Sequence, residues 1–371
     1  MHTWKVERCN LRRQTAALLP ELLRVTEEVL CNGTYILGPQ LEAFEHEFAR
    51  FLGIRYAVGV ASGTEALVLA LAAAGVKAGD EVITTPFTAI PTIAAIVMLG
   101  ARPVFVDIDP DTYTLNPDLL PGALSPKSRA IIPVHLFGHC AEMDAILAIA
   151  RSAGLPVIED AAQAHGSCYR GRLAGTMGTM GCFSFYPTKN IGAYGDAGAV
   201  VTDDEKLSTE LRLLRNYGQI SPYHSILPGY NSRLDELQAA FLRIKLNHIE
   251  HWNQQRVQLA ELYLQLLDIP EVRHPVVRPG HTPNWHQYVI RAEQRDALWH
   301  YLASQGIQAN VYYPIPAHLQ EAYVYLGYRK GDFPEAEQAA QSVLALPMFP
   351  ELTPEEVELV VAAIRSFYGR T

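Results

Sequence analysis

Between residues 57 and 202 the chain alternates short apolar runs with helical patterns, and this alternation limits its fold more than any other feature. The runs are Ala57-Val-Gly-Val-Ala61, Glu81-Val-Ile-Thr-Thr85, Pro103-Val-Phe-Val-Asp107, Arg129-Ala-Ile-Ile-Pro-Val-His135, Pro156-Val-Ile-Glu159, Cys182-Phe-Ser-Phe185 and Gly198-Ala-Val-Val-Thr202. Continuous Val/Ile runs spaced by helices predict a mostly parallel sheet covered on both faces. Seven such runs make a wide sheet, with functional groups expected at the carboxyl ends of its strands. A helix over 63–75 follows the first run. From 234 to about 267 the pattern reads as one long helix linking two domains. A second alternation follows, with a strand over 285–292, a helix over 295–305 and a strand over 310–313. Two final helices cover about 334–345 and 354–368, the last with Thr353 as N-cap and Pro354 at the first helical position. The expectation is an α/β protein with a large domain over 1–250, including the N-terminal segment, and a smaller α/β domain over 251–371.

Composition excludes several classes of function. The chain has 371 residues, nearly half of them apolar, and a formal charge of −9. No basic block offsets that charge, so nucleic acid is not an expected partner. No apolar run reaches membrane-spanning length, the greasiest being 66–75. The N-terminus lacks a signal-peptide core, so a cytoplasmic protein is expected. Five cysteines without C-x-x-C spacing predict buried free thiols in a reducing compartment, not disulfides or a metal site.

The chemistry lies in three places. Lys189, in Gly181-Cys-Phe-Ser-Phe-Tyr-Pro-Thr-Lys-Asn190, follows the acidic strand end Glu159-Asp160 by 29 residues. A lysine forms a Schiff base with an aldehyde, and a buried aspartate holds a pyridine nitrogen protonated; together they suggest pyridoxal phosphate. Alone, a lysine after a proline turn is ordinarily a solvated charge, and a buried aspartate ordinarily pairs with an arginine. The third place is Ala61-Ser-Gly-Thr-Glu-Ala-Leu67, where a strand ends, Gly63 lets the backbone come close and a helix begins. Its free N–H groups and positive dipole end suit a phosphate, although a plain capped helix start has the same pattern. Ser184 is a second phosphate donor candidate, and Gln163 lies one turn beyond Asp160. For Lys189 to shuttle protons its amine must be neutral, which burial and a nearby cationic ring would favour.

The order of Ser62-Gly-Thr-Glu-Ala-Leu67, Glu159-Asp-Ala-Ala-Gln-Ala-His165, Phe183-Ser-Phe-Tyr-Pro-Thr-Lys-Asn190 and Gly229-Tyr-Asn-Ser-Arg-Leu-Asp-Glu-Leu-Gln-Ala-Ala240 resembles the DegT/DnrJ/EryC1/StrS aminotransferases. The resemblance runs from Tyr35-Ile-Leu-Gly38 to Leu346-Pro-Met-Phe-Pro350. It implies a fold-type I pyridoxal 5'-phosphate transferase of the aspartate aminotransferase type, acting on nucleotide-linked keto-sugars. It makes Lys189 the Schiff-base lysine and Asp160 the pyridinium partner, and it puts Gln163 near the coenzyme's phenolic oxygen. Gly63, Thr64 and Ser184 would hold the phosphate, with Asn231 reaching it from the other subunit of a homodimer with shared sites. Lysine at 189, where related dehydratases carry histidine, favours transamination over deoxygenation. Two positions depart from the family. Ala89 stands where an aromatic residue usually stacks on the coenzyme, leaving Phe87 or another side chain as a substitute, or no stacking. Gly178-Thr179 stands where Gly-Asp is frequent.

The same resemblance bears on the substrate. Asn231-Ser-Arg233 is closer to members acting on 3-keto sugars than to those aminating C4, which often carry Asn-Tyr-Arg. The expected acceptor is a dTDP- or UDP-linked 3-keto hexose, with L-glutamate as amino donor. Tyr223 and His224, and Tyr312 and His318 with Tyr313, are the expected sugar contacts, His318 also reading as an ordinary capping or surface histidine. Alternatives are a 4-keto sugar nucleotide, a keto-cyclitol, or a coenzyme-binding regulatory protein without turnover.

Overall fold

The computed structural model describes residues 4–370. The seven apolar runs form two ladders. Tyr56–Val60, Gly198–Thr202, Met180–Ser184 and Ile158–Asp160 lie in that order in one, and Arg102–Phe105, Glu81–Thr84 and Ser128–Ile131 in the other. Isolated parallel bridges, Ile131 to Val157 and Val134 to Asp160, link the two. The second ladder is parallel throughout. In the first, Gly198–Thr202 runs antiparallel to both its neighbours. It follows Met180–Ser184 through a loop without a crossover helix, and only a crossover would have returned it parallel.

Helices cover both faces. On one, the Gly63–Ala73 helix buries Leu67, Val68 and Leu71 together with Val58, Val60 and Val200 of the strands. On the other, the Pro39–Leu52 helix sets Phe44 edge-on to Phe185, and Phe48 edge-on to Phe183 and Phe185. Each such fully buried ring is worth about 2–3 kcal/mol of transfer free energy.

Three expected elements differ. The stretch 234–267 is two helices, Glu236–Leu246 and Ile249–Leu266. Asn247 and His248, both weak helix formers, sit at the break. The second helix then packs Leu259, Ala260 and Tyr263 into a C-terminal core that also takes in Val6 from the start of the chain. The expected helix over 334–345 stops at Ser342, because Val343–Leu346 pairs antiparallel with Tyr288–Ala292. A four-residue apolar run carries no period that separates strand from helix. Of 310–313 only Asn310 pairs, with Ala345. The last helix, Pro354–Phe367, starts in a full capping box between Thr353 and Glu356. All five cysteines are unpaired, but only Cys140 and Cys182 are buried; Cys31 is exposed. None of the described helices is long and apolar enough to cross a membrane.

Candidate active site

A cavity of about 340 Å³ opens at the carboxyl ends of the three strands of the first ladder that share a direction, Tyr56–Val60, Met180–Ser184 and Ile158–Asp160. It is lined by Gly63, Thr64, Asp160, Gln163, Ser184 and Lys189, among others. Six expected site residues, scattered over 127 positions of sequence, thus share one chamber.

The Gly63–Ala73 helix points its N-terminus at this space. Ser62 caps it, its Oγ accepting from the Glu65 N–H at 3.1 Å. The cap takes the Glu65 amide and leaves those of Gly63 and Thr64 for a ligand. A Cβ at Gly63 would lie 2.5 Å from the Ser184 Cβ, so glycine is required for the helix start to lie against the end of the Met180–Ser184 strand. Gly63→Ala is therefore expected to push the two phosphate donors apart and weaken coenzyme binding roughly tenfold or more, the overpacking costing about 1–3 kcal/mol. Fluorescence titration of the coenzyme-free protein reads this directly.

Side chains alternate at the end of the Ile158–Asp160 strand, and the two acidic neighbours part company. Glu159 turns away from the cavity, where its carboxylate accepts from the N–H groups of Gly175, Met177 and Gly178 at 2.5–2.8 Å. It also meets His135 Nε2 at 2.8 Å. Since the Ala141 N–H donates to His135 Nδ1, the ring proton sits on Nε2 and points at Glu159. Asp160 faces the cavity. Its Oδ1 accepts from the Ala162 N–H at 3.2 Å and its Oδ2 from the Thr92 hydroxyl at 2.7 Å. With that proton committed, the 3.1 Å contact between Thr88 and Thr92 has Thr88 as donor. The chain Thr88 to Thr92 to Asp160 thus aims hydroxyl protons at a carboxylate, the arrangement that suits a group with acceptors only.

Lys189 sits in a closed loop. The Ala193 N–H donates to the Phe185 carbonyl at 2.7 Å, and a Cβ at Gly192 would lie 2.1 Å from the Pro187 carbonyl oxygen. The neighbouring Asn190 fixes the loop from behind, donating to Asn253 Oδ1 and the Asn284 carbonyl and facing His286 Nδ1 at 3.0 Å. Buried Lys245 donates to the Gly192 carbonyl at 2.6 Å and lies over the Tyr194 ring. Burial lowers the Lys189 amine to about 8, against the raising effect of Asp160. His165, buried behind it, is lowered to about 3 by burial and by the Lys189 charge, and so contributes no positive charge of its own. The neutral amine is the nucleophile. Its rate of capturing an aldehyde coenzyme is thus expected to rise with pH and level off above about 8, whereas an ordinary lysine would still be climbing past about 10. Stopped-flow mixing of coenzyme-free protein across pH checks it.

The remaining expected residues lie elsewhere. Tyr223 and His224 are exposed at the turn between Gln219–Ser221 and His224–Ser225, Tyr223 almost completely. Asn231 is exposed, its backbone bridged to Asn216. None of these three lines the cavity within one chain. Tyr312 lies under the Arg8 guanidinium. His318 does not line the cavity either: it is buried, bonded to Glu337 at 3.0 Å and packed on Phe333. Phe87 is also buried away from the cavity, among Tyr113, Phe137 and Tyr313, while Ala89 does line it. Sequence reasoning missed Thr92, Asp196 and Tyr186 on the cavity wall. For Thr92 the available signal was its place directly after Ile90-Pro91, in the segment already marked by Ala89.

A phosphate cradle, a hydrogen-bonded carboxylate and a lysine of lowered basicity converge on one chamber of an α/β fold. The donor set fits pyridoxal 5'-phosphate, and this defines the class as an enzyme of pyridoxal phosphate chemistry. Comparison with known proteins agrees. Residues 18–365 match the DegT/DnrJ/EryC1/StrS aminotransferase family, whose members use pyridoxal phosphate, and the chain belongs to that family. It is 47% identical to a pleiotropic regulatory protein of Geobacillus stearothermophilus, over 97% of each chain. It is 46% identical to the dTDP-3-amino-3,4,6-trideoxy-alpha-D-glucose transaminase of Streptomyces venezuelae, over 92% of this chain and 90% of the other. Among solved structures, S. venezuelae DesV in complex with a ketimine intermediate superposes with a TM-score of 0.97 at 44% identity, covering all of both chains.

Proposed function

We propose that the protein transfers the amino group of L-glutamate to a nucleotide-linked 3-keto hexose, in the synthesis of an amino sugar. The observation that carries this is the joint placement of Lys189, Asp160 and Gln163 in a cavity whose phosphate cradle is intact. The 3-amino product named for the S. venezuelae relative supports position 3, as does Asn231-Ser-Arg233. The nucleotide is dTDP or UDP.

When bound, pyridoxal phosphate supplies an aldehyde that captures amines and a ring that accepts the electrons of a carbon losing its proton. Gly63, Thr64 and Ser184 would hold the phosphate, and the Asp160 carboxylate would keep the pyridine nitrogen protonated. Lys189 would anchor the aldehyde and, once free, its neutral amine would be the group that accepts and returns a proton at the reacting carbon. Gln163 would supply a donor to the phenolic oxygen.

In this reading the two ladders act as one seven-stranded sheet of fold-type I, a reading supported by the bridges at Val157 and Asp160. The chain divides near residue 250 into coenzyme-binding and smaller C-terminal domains. It works in the cytoplasm as a homodimer. Exposed Asn231, Tyr223 and His224 reach the partner's cavity in that dimer, Asn231 at its phosphate and the other two at its sugar, and Tyr312 lines the sugar entrance from the smaller domain. The regulatory relative gives weight to a second reading, a coenzyme-binding regulator without turnover. The complete Lys189-Asp160-Gln163 set favours turnover.

The test starts from enzyme converted by glutamate to its amino form and mixed in turn with 3-keto and 4-keto dTDP- and UDP-hexoses. Recovery of the visible absorbance with 3-keto compounds alone is the expected result. Recovery only with 4-keto compounds moves the amination to C4, and recovery with a nucleotide-free keto-cyclitol removes the nucleotide. Failure of the glutamate step itself puts the regulatory reading ahead.

A further inference from the structure

Gln163 meets the cavity with an amide whose two ends are already committed. Its Oε1 accepts the Phe137 N–H at 2.7 Å, which settles which end of the amide is oxygen. Its Nε2 donates to the Tyr313 hydroxyl at 3.0 Å. An amide nitrogen carries two protons, so one N–H remains, fixed in direction by the two bonds. Phe137 belongs to the turn after the Ser128–Ile131 strand, whereas Tyr313 arrives from the C-terminal part of the chain, 150 residues beyond Gln163. Tyr313 is itself held edge-on to the buried Phe87 ring, at 6.2 Å between centroids. Burial raises its phenol, the proximity of Tyr312 and Asp160 adding to this, so the hydroxyl stays neutral and remains an acceptor for Gln163 through the working pH range.

We propose that Tyr313 is a positioning residue: its hydroxyl locks the Gln163 amide so that the remaining N–H is presented to the coenzyme's phenolic oxygen. The proposal rests on the reading above that Gln163 faces that oxygen. A donor held at the oxygen stabilises its charge once the neighbouring lysine-bound nitrogen has lost its proton. The pH at which that proton leaves is therefore lowered by a fixed Gln163 and rises when the amide is free to turn. A tyrosine that merely fills space would leave this pH unchanged, because Tyr313→Phe retains the ring and its contact with Phe87.

The experiment is a pH titration of the visible band of the coenzyme-loaded enzyme, for the parent, Tyr313→Phe and Gln163→Ala. The expected result is an upward shift of the midpoint of roughly half a unit in Tyr313→Phe, the size of one neutral hydrogen bond, and a shift at least as large in Gln163→Ala. A shift in Gln163→Ala with none in Tyr313→Phe overturns the proposal and leaves the placement of Gln163 standing. No shift in either removes Gln163 from the phenolic oxygen and the proposal with it, while the glutamate half-reaction reports separately on the aminotransferase reading. Should Tyr313→Phe fold poorly, 3-fluorotyrosine at position 313 keeps the shape and weakens the acceptor. It is expected to shift the midpoint the same way by less, and an unchanged midpoint there also overturns the proposal.

Discussion

Lys189→Ala is expected to lower turnover by at least about a thousandfold, the range lost when a covalent anchor and proton carrier are removed together. The fold should survive it. The loop that carries Lys189 is held by backbone closure between Phe185 and Ala193, by Asn190 with Asn253, Asn284 and His286, and by Lys245 on the Gly192 carbonyl. None of these bonds uses the Lys189 amine. Removing an amine that burial has already made less basic relieves a desolvation cost, so melting temperature should hold or rise. Coenzyme should still bind through the phosphate cradle, with the visible band of the lysine-bound form lost. Steady-state assay, thermal melting and the absorbance spectrum read the three parts separately.

Asp160→Asn is expected to cost roughly a hundredfold to a thousandfold in turnover while leaving the structure in place. Asparagine has almost the same shape, its carbonyl oxygen still accepts from Thr92 or Ala162, and the backbone pairing of residue 160 with Pro133 and His135 is untouched. What changes is charge. A neutral amide does not keep a pyridine nitrogen protonated, so the ring loses much of its capacity to accept electrons. The substitution also removes the negative charge that raises the Lys189 amine, which would fall still lower. Nitrogen NMR of coenzyme labelled in its ring should show the protonated signal in the parent and the unprotonated one in the variant.

Much of this site was legible in the sequence because its parts are local. Ser62-Gly63-Thr64 carries the strand end, the close approach and the helix start within three residues, and each has its own physical signature. Asp160 was legible because a carboxylate ending an apolar strand needs a reason to be there. Its neighbour Glu159 shows the limit of that argument. It is buried too, yet it spends its charge on three backbone N–H groups and His135, and only the direction of each side chain separates the two roles. Tyr313 and Thr92 stand in segments that the sequence marks, but their pairing with Gln163 and Asp160 was not legible, since they come from 150 and 68 residues away and no local pattern reports a contact across that distance. His318 shows the converse limit. The Tyr312-Tyr313-Pro-Ile-Pro-Ala-His318 segment looked like one binding loop, but its far end turns inward and buries His318 against Glu337. The break at Asn247-His248 and the strand Val343–Leu346 were set by tertiary packing, which periodicity in a short apolar run does not report.

The most direct test of the central claim, that this cavity holds its coenzyme on Lys189, is reductive trapping. Coenzyme-loaded protein is treated with borohydride, digested and mapped by mass spectrometry. A single pyridoxyl phosphate addition is expected, on the peptide containing Lys189. Finding the addition on Lys245 or another lysine, or on none while the coenzyme stays bound, would contradict the claim.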